Sequence, residues 1–457
     1  MQNDIMSERL YINDATRRFI DIHREEDVDD VALHFSATAD VDMPMALRQI
    51  EGWQTARRKL PSWASHGGII YPPRRAMEQC SGEDAALWKA NTAQRLLSTA
   101  RRQRLIDLTG GAGVDFAFLS RLFDEAIYVE KDSCLCRLAE HNMAAMGISN
   151  ARFVCSDAET YLQNADDGDV NFNRQADGPA GNHSPDAETQ GAIPHCRTRQ
   201  AGNMSSLIFI DPSRRSRIGR RQTAIGDCSP NVLPMMKTLL GHAEIVMLKL
   251  SPMLDISKTV GDLNSSAGTD AVREVHVVAA GNECKELFVV LSERHLSPLQ
   301  VFCVNDGKAF SYAWDELSAA SRQSGPITAA VDKGMYLYEP FTVLLKAGCF
   351  ALLTKRFPVA QIDNNSHLFV SQTFVHGFPG RCFRISDVLT MSRRNVKTAL
   401  TGISHANIAV RNFPLTAAQL ARRLRIRDGG DTYIFATTSA GRHLLIVTQK
   451  ADAVVPL

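Results

Sequence analysis

One run of nine residues constrains this chain more than any other: Asp107-Leu108-Thr109-Gly110-Gly111-Ala112-Gly113-Val114-Asp115. It follows a short apolar stretch, Leu105-Ile106, and precedes a helix-like run over 116–123. A glycine-rich turn from a strand into a helix lets a ligand approach the backbone closely, because no Cβ intervenes. The first N–H groups of the helix also favour a negative group. Such a turn belongs in a sheet of parallel strands joined by helices, and the surrounding sequence has that rhythm. Between about 76 and 296, helix-like segments alternate with short apolar strand candidates at 105–108, 126–130, 152–155, 207–210, 245–248, 275–278 and 287–291. Seven strands of this kind predict an α/β, Rossmann-like sheet.

The rest of the chain divides around that block. Residues 1–75 read as an N-terminal helical region. It is acidic at Glu25, Glu26, Asp27, Asp29 and Asp30, basic at Arg57, Arg58 and Lys59, and broken at Pro72-Pro73. Residues 164–204, rich in Asn, Asp, Gly, Gln, Pro and Ser, read as a disordered insertion between two strands. A hairpin is expected at 301–314 around Asn305-Asp306-Gly307. A linker is expected to follow, so that 297–334 is hairpin and linker. Residues 335–383 and 384–457 read as two further α+β segments, the second with a helix near 386–401, a strand at 407–413, a helix at 416–425 and strands at 432–437 and 443–448. Composition adds exclusions. With 457 residues, 44% hydrophobic and 22% charged, the chain suits several globular domains. No apolar run reaches 18 residues, so no membrane span is expected. The polar start shows no secretory signal, and ten cysteines lack a framework spacing, so a cytoplasmic protein with reduced thiols is expected. No cluster has metal-ligand spacing.

Three ligand classes compete for the glycine turn. A P-loop is excluded, because no G-x-x-x-x-G-K-[ST] pattern exists. A dinucleotide site needs a third glycine where Phe116 stands. The third pattern is the acid-x-Gly-x-Gly-x-Gly turn of S-adenosylmethionine (SAM) sites; Asp107, Gly111 and Gly113 match it, Thr109 replaces the first glycine, and the competing reading is a glycine turn that holds no ligand. Asp107 would orient the loop or the methionine amine, with Thr109, Gly111 and Gly113 at the methionine end. Glu130, 19 positions after Gly111 at the end of the second strand candidate, is placed to accept ribose hydroxyls or to be a solvated surface acid. Asp157 after the third strand would accept the adenine amine, with Ala158 leaving room for the ring, although an acid after a strand is common. The strand 207–210 delivers Asp211-Pro212-Ser213-Arg214 to the carboxyl edge, where ligands bind in such sheets. Asp211 would orient or deprotonate a methyl acceptor; the competing reading is a helix cap and turn.

On these residues the chain resembles the class I SAM-dependent methyltransferases that carry a C-terminal THUMP-like domain. The resemblance runs from about 45 onward through Tyr71-Pro72-Pro73, Glu78-Gln79-Cys80-Ser81, the glycine turn, Asp211-Pro212-Ser213-Arg214-Arg215 and Lys249-Leu250-Ser251-Pro252. It continues through Asn282-Glu283-Cys284-Lys285-Glu286, Phe378-Pro379-Gly380-Arg381, Arg411-Asn412-Phe413-Pro414 and Asp428-Gly429-Gly430-Asp431. Residues 75–160 are also similar to RNA-cap guanosine-N2 methyltransferases of the trimethylguanosine synthase type. The resemblance implies a SAM-dependent methyltransferase domain at 76–296, a ferredoxin-like segment at 335–383 and a THUMP-like domain at 384–457. It further implies RNA methylation, with tRNA as the leading substrate. Two departures stand out. Ser213 and Arg214 replace the second proline and the aromatic of the [DN]-P-P-[YFW] pattern of amine methyltransferases, which leaves amine and ring-atom acceptors open. Ser81 is followed by Gly82-Glu83 where the family tends to read Ser-Ser-Glu.

Charge placement points the same way. From Met391 to Arg427 the chain has eight basic residues and no acid: Arg393, Arg394, Lys397, Arg411, Arg422, Arg423, Arg425 and Arg427. Such a stretch in a chain of net charge +1 reads as a footprint for a phosphate backbone, or as an ordinary solvated face. A second cluster, Arg214, Arg215, Arg217, Arg220 and Arg221, follows Asp211. Cys228 is a candidate pyrimidine-C5 nucleophile against the ordinary reading of a packed thiol. Two other functions stay open: a methyltransferase of proteins or small molecules, and a non-catalytic RNA-binding protein that retains the SAM fold.

Overall fold

Side-chain caps start the first three helices of the chain. Asn13 accepts from the Thr16 N–H to open α1 (Asp14–His23), Asp27 accepts from Asp29 and Asp30 to open α2 (Val28–His34), and Asp42 accepts from Met45 to open α3 (Met43–Lys59). Part of the acidic cluster noted in the sequence is therefore helix-capping chemistry. Next come α4 (Pro61–Ser65), α5 (Arg74–Gln79) and α6 (Glu83–Leu96). The structure is a computed structural model, and it describes residues 12–35, 40–98, 101–166, 204–214, 224–294, 298–323, 328–391 and 400–451. The chain forms two compact units: 1–250 with 257–272 and 290–295, and 251–256 with 273–289 and 296–457.

In the first unit the strands are β1 (Arg104–Asp107), β2 (Glu125–Glu130), β3 (Ala151–Cys155), β4 (Ser205–Ile210), a two-residue pair β5 (Ser213–Arg214) and β6 (Cys228–Ser229), and β7 (Ala243–Leu250). The helices between them are α7 (Val114–Leu119), α8 (Ser133–Ala145), α9 (Ala158–Asp166) and α10 (Val232–His242), with α11 (Ile256–Ala267) after β7. The main strands lie in the order β3-β2-β1-β4-β7, every neighbouring pair parallel. All six residues of β4 are buried, as a strand covered on both faces requires. The chain runs outward from β1 through β2 to β3, then crosses back to β4 on the other side of β1. That reversal is a topological switch point, and it opens a crevice at the carboxyl ends of β1 and β4.

The N-terminal helices belong to this same unit. Gln49 exchanges hydrogen bonds with the backbone of Tyr71 at 2.8 and 3.1 Å, and buried Asn142 of α8 does the same with Ile70 at 2.9 Å each. The segment before α5 is thus tied to α3 on one side and to α8 on the other. The expected insertion at 164–204 lies largely outside the described residues; α9 extends to Asp166, three residues into it.

The second unit carries most of β8 (Val272–Ala280), and of β9 (Glu283–Leu291), with β10 (Gln300–Asn305) and β11 (Lys308–Ala313) in the order β9-β8-β10-β11. The β10–β11 hairpin turns through Asp306 and Gly307, both at positive φ, as its Asn-Asp-Gly signature predicts. Helix α12 (Trp314–Gln323) occupies much of the expected linker. Beyond it come β12 (Tyr336–Pro340), α13 (Thr342–Ala347), α14 (Phe350–Arg356), β13 (Ala360–Gln361), β14 (Phe369–Ser371), β15 (Gly380–Thr390), β16 (Asn407–Arg411), α15 (Ala417–Leu424), β17 (Thr432–Ser439) and β18 (Arg442–Lys450).

These last strands form one sheet, β13-β14-β12-β15-β18-β17-β16. Strand β15 joins its two halves, pairing with β12 from Gly380 to Arg384 and with β18 from Phe383 to Thr390. A single core follows, in which Leu337, Ile362 and Val370 pack with Phe383, Phe435 and Ile446. The helix expected near 386–401 is a strand as far as Thr390, and 392–399 lie outside the described residues. A bulge between Ile385 and Asp387 shifts the alternation, which hides the period-two pattern of Phe383, Ile385 and Leu389 from a sequence reading.

Candidate functional site

The glycine turn sits at the switch point, and its shape is dictated by the ring beside it. A Cβ on Gly110 would lie 2.0 Å from the Tyr128 ring, and one on Gly113 would lie 2.9 Å from the Met143 methyl, with Gly113 also at φ +79°. Tyr128 cannot retreat: it is fully buried, packs edge-on against Phe116 and donates its hydroxyl to the Gly111 carbonyl at 2.6 Å. The backbone is stitched to its neighbours by Leu108 N–H to Phe209 O (3.0 Å) and Gly110 N–H to Val129 O (2.9 Å). The cradle is therefore built before any ligand arrives.

Asp107 closes β1 with 1% exposure and accepts the Thr109 N–H at 3.0 Å. Burial pushes its carboxyl well above the usual carboxylate range; the Thr109 N–H opposes this, while Asp115, Asp211 and Glu130 reinforce it. Thr109 does more than fill a glycine's place. Its hydroxyl oxygen accepts the Asp211 N–H at 2.6 Å, joining the turn to the end of β4. Glu130 ends β2 and braces the same turn, with one oxygen accepting from Gly111 N–H and the other from Asp132 N–H, each at 2.9 Å. Each oxygen keeps a further lone pair for an incoming hydroxyl.

Asp157 stands one strand further out, exposed, and caps the start of α9 through the Thr160 N–H (2.9 Å) and hydroxyl (2.8 Å). Those bonds hold its carboxyl below the ordinary value. Ala158 beside it is buried. The structure thus brings Asp107, Thr109, Gly111, Gly113, Glu130 and Asp211 together around one turn, with Asp157 and Ala158 at the neighbouring strand end.

Asp211 follows β4 directly. Its carboxylate takes the Lys249 ammonium at 2.6 Å; the Asp211 side chain is 34% exposed and that of Lys249 10%. Burial pushes the Asp211 carboxyl up, and Lys249 opposes the shift. A second ion pair lies alongside. Lys89 of α6, fully buried, is 3.1 Å from Asp115 of α7, and Ser81 joins both, donating to Asp115 at 2.7 Å and accepting from Lys89 at 3.0 Å. Burial pushes the Asp115 carboxyl up, but Lys89, Lys249 and Ser81 outweigh it and hold it below the usual value. Asp115 responds to Lys249 and Asp211 responds to Lys89, so the two pairs form one charge cluster at the crevice.

Sequence reasoning assigned no role to Lys89, Lys249, Ser81 or Asp115. A lysine on a helix reads as exposed, and only the third dimension shows Lys89 to be sealed. Lys249 did carry a signal: it is a lone cation in the apolar run Ile245-Val246-Met247-Leu248-Lys249-Leu250, where an unpaired charge would be very costly.

Among the expected RNA-contacting residues, Arg422 and Arg423 are exposed on the last turn of α15, and Arg425 and Arg427 are exposed just beyond it. Arg393, Arg394 and Lys397 lie outside the described residues, as do Arg215, Arg217, Arg220 and Arg221. Arg411, counted in the same acid-free stretch, is committed elsewhere: it bonds buried Glu339 at 2.9 Å, as does Arg381. Cys228 is buried, as a packed thiol is. Among the described residues no helix is long and apolar enough to cross a membrane.

Residues 380–450 match a model described as THUMP domain-like, and residues 336–379 match a ferredoxin-like domain. A crystal structure from Porphyromonas gingivalis W83, of a protein assigned as a methyltransferase, is 28% identical, with 96% of this chain and 98% of that chain covered and a TM-score of 0.74. A SAM-dependent methyltransferase from Agrobacterium tumefaciens is 14% identical over 46% of this chain and 61% of its own, with a TM-score of 0.30. The tRNA (m1A58) methyltransferase of Aquifex aeolicus is 11% identical over 48% and 71%, with a TM-score of 0.27. No curated protein matches the chain. The parallel sheet, its switch-point turn and the full-length likeness give the chain the fold of the class I SAM-dependent methyltransferases. Its C-terminal end carries the ferredoxin-like and THUMP-like domains.

Proposed function

We propose that the protein methylates RNA, with tRNA as the leading substrate class and the cytoplasm as its place of action. The observation that carries this reading is the exposed basic group Arg422, Arg423, Arg425 and Arg427 within the THUMP domain-like segment, in a stretch free of acids. The residues of the first unit fit SAM: a prebuilt glycine cradle, an acid at the end of β1 and an acid at the end of β2. In this reading Asp107, Thr109, Gly111 and Gly113 hold the methionine end, Glu130 the ribose, and Asp157 with Ala158 the adenine. When bound, SAM supplies an electrophilic methyl group on a sulfonium. The chain's own share is positioning and fixed charge: Asp211, at the crevice, orients the acceptor by taking a hydrogen bond from it. The catalytic part is assigned to 76–296, and RNA contact to 384–457 with support from 335–383.

The deciding experiment incubates the full chain with methyl-labelled SAM and bulk RNA from the source organism with this gene deleted. Label in a tRNA-sized band is expected, absent with Asp211→Ala. Label confined to protein or small-molecule fractions would replace RNA with one of those acceptors. Binding of SAM and RNA with no transfer to any fraction would leave a non-catalytic RNA-binding protein.

A further inference from the structure

We infer that Lys249 is a positioning residue for Asp211: it keeps the carboxylate ionised and occupies one of its oxygens, so that the acceptor must be a group that donates an N–H or O–H to the other. The inference rests on the methyl-transfer reading above.

The geometry fixes Asp211 at both ends. Its backbone N–H is held by Thr109 Oγ1, and its Oδ2 by the Lys249 ammonium at 2.6 Å. Its side chain keeps about a third of its surface open, so the carboxylate is held without being sealed. Lys249 itself comes from a strand whose residues from 245 to 250 are all buried, where an ammonium is retained only against a close counter-charge.

Of the two lysines that act on Asp211, Lys249 is the one in direct contact with it. Asp115 on α7 faces it as a like charge, and Lys89 on α6 is engaged at 3.1 Å by Asp115. Without Lys249, a carboxylate in a buried crevice beside Asp115 binds a proton more readily. A protonated Asp211 would present a donor where the acceptor's own N–H or O–H needs an oxygen lone pair. Lys249 thereby sets the class of acceptor. The aromatic that would stack on a base in the [DN]-P-P-[YFW] pattern is absent here, since Ser213-Arg214 stand in its place. The ionic lock on Asp211 makes orientation depend on this one hydrogen bond.

The test titrates the full chain carrying carboxyl-13C aspartate by NMR, with Asp211→Asn identifying the resonance. Lys249→Gln is expected to raise the Asp211 midpoint by about 1 to 3 pH units, the ordinary effect of losing an adjacent opposite charge. Lys249→Arg should stay close to wild type. Lys249→Met serves where the glutamine variant does not fold. In the wild type, 15N-labelled lysine gives an arm that needs no charge-removing variant: the Lys249 Nζ signal should move with the Asp211 midpoint. Rates of methyl transfer to bulk RNA should show the same upward displacement of the acid limb in Lys249→Gln, with SAM affinity unchanged. An unmoved Asp211 midpoint in a folded variant, or an Nζ signal that ignores it, overturns the inference. A shifted midpoint in a protein that labels no RNA retains the Lys249–Asp211 relation and sinks the RNA reading instead.

Discussion

The Asp211 N–H donates to the hydroxyl oxygen of Thr109 at 2.6 Å, so the residue that stands in place of the first glycine of the turn ties that turn to the end of β4. A glycine at 109 could not make this bond. Thr109→Val keeps the shape and removes the acceptor, leaving a half-buried N–H unpaired at about 1–3 kcal/mol. The expected result is a lower Tm and a lower rate of methyl transfer. Thr109→Ser, which retains the hydroxyl, should restore both. A valine variant with wild-type melting and turnover would show that the bond is incidental.

What could be read from the sequence followed from how local each feature is. The run 107–115 is contiguous, and a strand, a glycine turn and a helix start announce themselves within a dozen residues. Asp211 was legible for the same reason, as the first polar residue after an apolar strand. The Thr109–Asp211 bond spans 102 positions and the Lys89–Ser81–Asp115 cluster joins two helices and the loop before α6, so no spacing rule reaches either. The shared sheet at the C-terminal end was hidden similarly. Strand β15 carries a bulge that breaks its alternation, and its two partners, β12 and β18, are far apart in sequence. Asp157, an acid after a strand and so a candidate for adenine recognition, has a second task that the spacing did not announce: it caps α9 through Thr160.

Gly110→Ala should damage the cradle without exposing any new surface. The added Cβ would sit 2.0 Å from a Tyr128 ring that is held by Phe116 and by its own hydroxyl bond to Gly111. Overpacking of this kind costs about 1–3 kcal/mol. Because the strain falls on the turn itself, SAM affinity measured by calorimetry should fall by roughly tenfold or more, the equivalent of about 1.4 kcal/mol. Gly67→Ala, where a Cβ meets nothing within 4 Å, is the control and should bind as wild type.

Lys89→Met should be far more destabilising than a helix-surface substitution. Lys89 is fully buried and neutralises Asp115, and removing one partner of a buried pair leaves an uncompensated charge at a cost of about 3–5 kcal/mol. The pH dependence gives the sign. Lys89, Lys249 and Ser81 hold the Asp115 carboxyl below its ordinary value against burial, so its stabilising contribution is present above the unfolded value of about 3.9 and is lost as pH falls through the lower folded value. Urea melts of wild type and variant should therefore differ most near neutral pH and converge below about pH 4. Pairing the change with Asp115→Asn should recover part of the loss. A difference independent of pH would assign Lys89 to packing alone.

The basic residues after β16 make the last prediction, which separates RNA contact from cofactor contact. Arg422, Arg423, Arg425 and Arg427 are exposed in the second unit, whereas Asp107, Glu130 and Asp211 belong to the first. Each phosphate neutralised by a cation releases condensed counterions, so log affinity falls by roughly 0.7 to 0.9 per contact for each unit of log salt. If all four arginines touch phosphates, their share of the slope is about −3. Replacing the four with serine should remove that share and weaken binding to bulk tRNA across sequences, as measured by filter binding between about 50 and 200 mM salt. Arg411→Ser should behave differently, since Arg411 bonds buried Glu339; its loss should lower Tm before it changes the salt slope. SAM affinity should be the same in the four-arginine variant as in wild type. An unaltered slope in that variant would move the RNA surface away from this segment, because an exposed arginine that contacts phosphate cannot be removed without its counterion term.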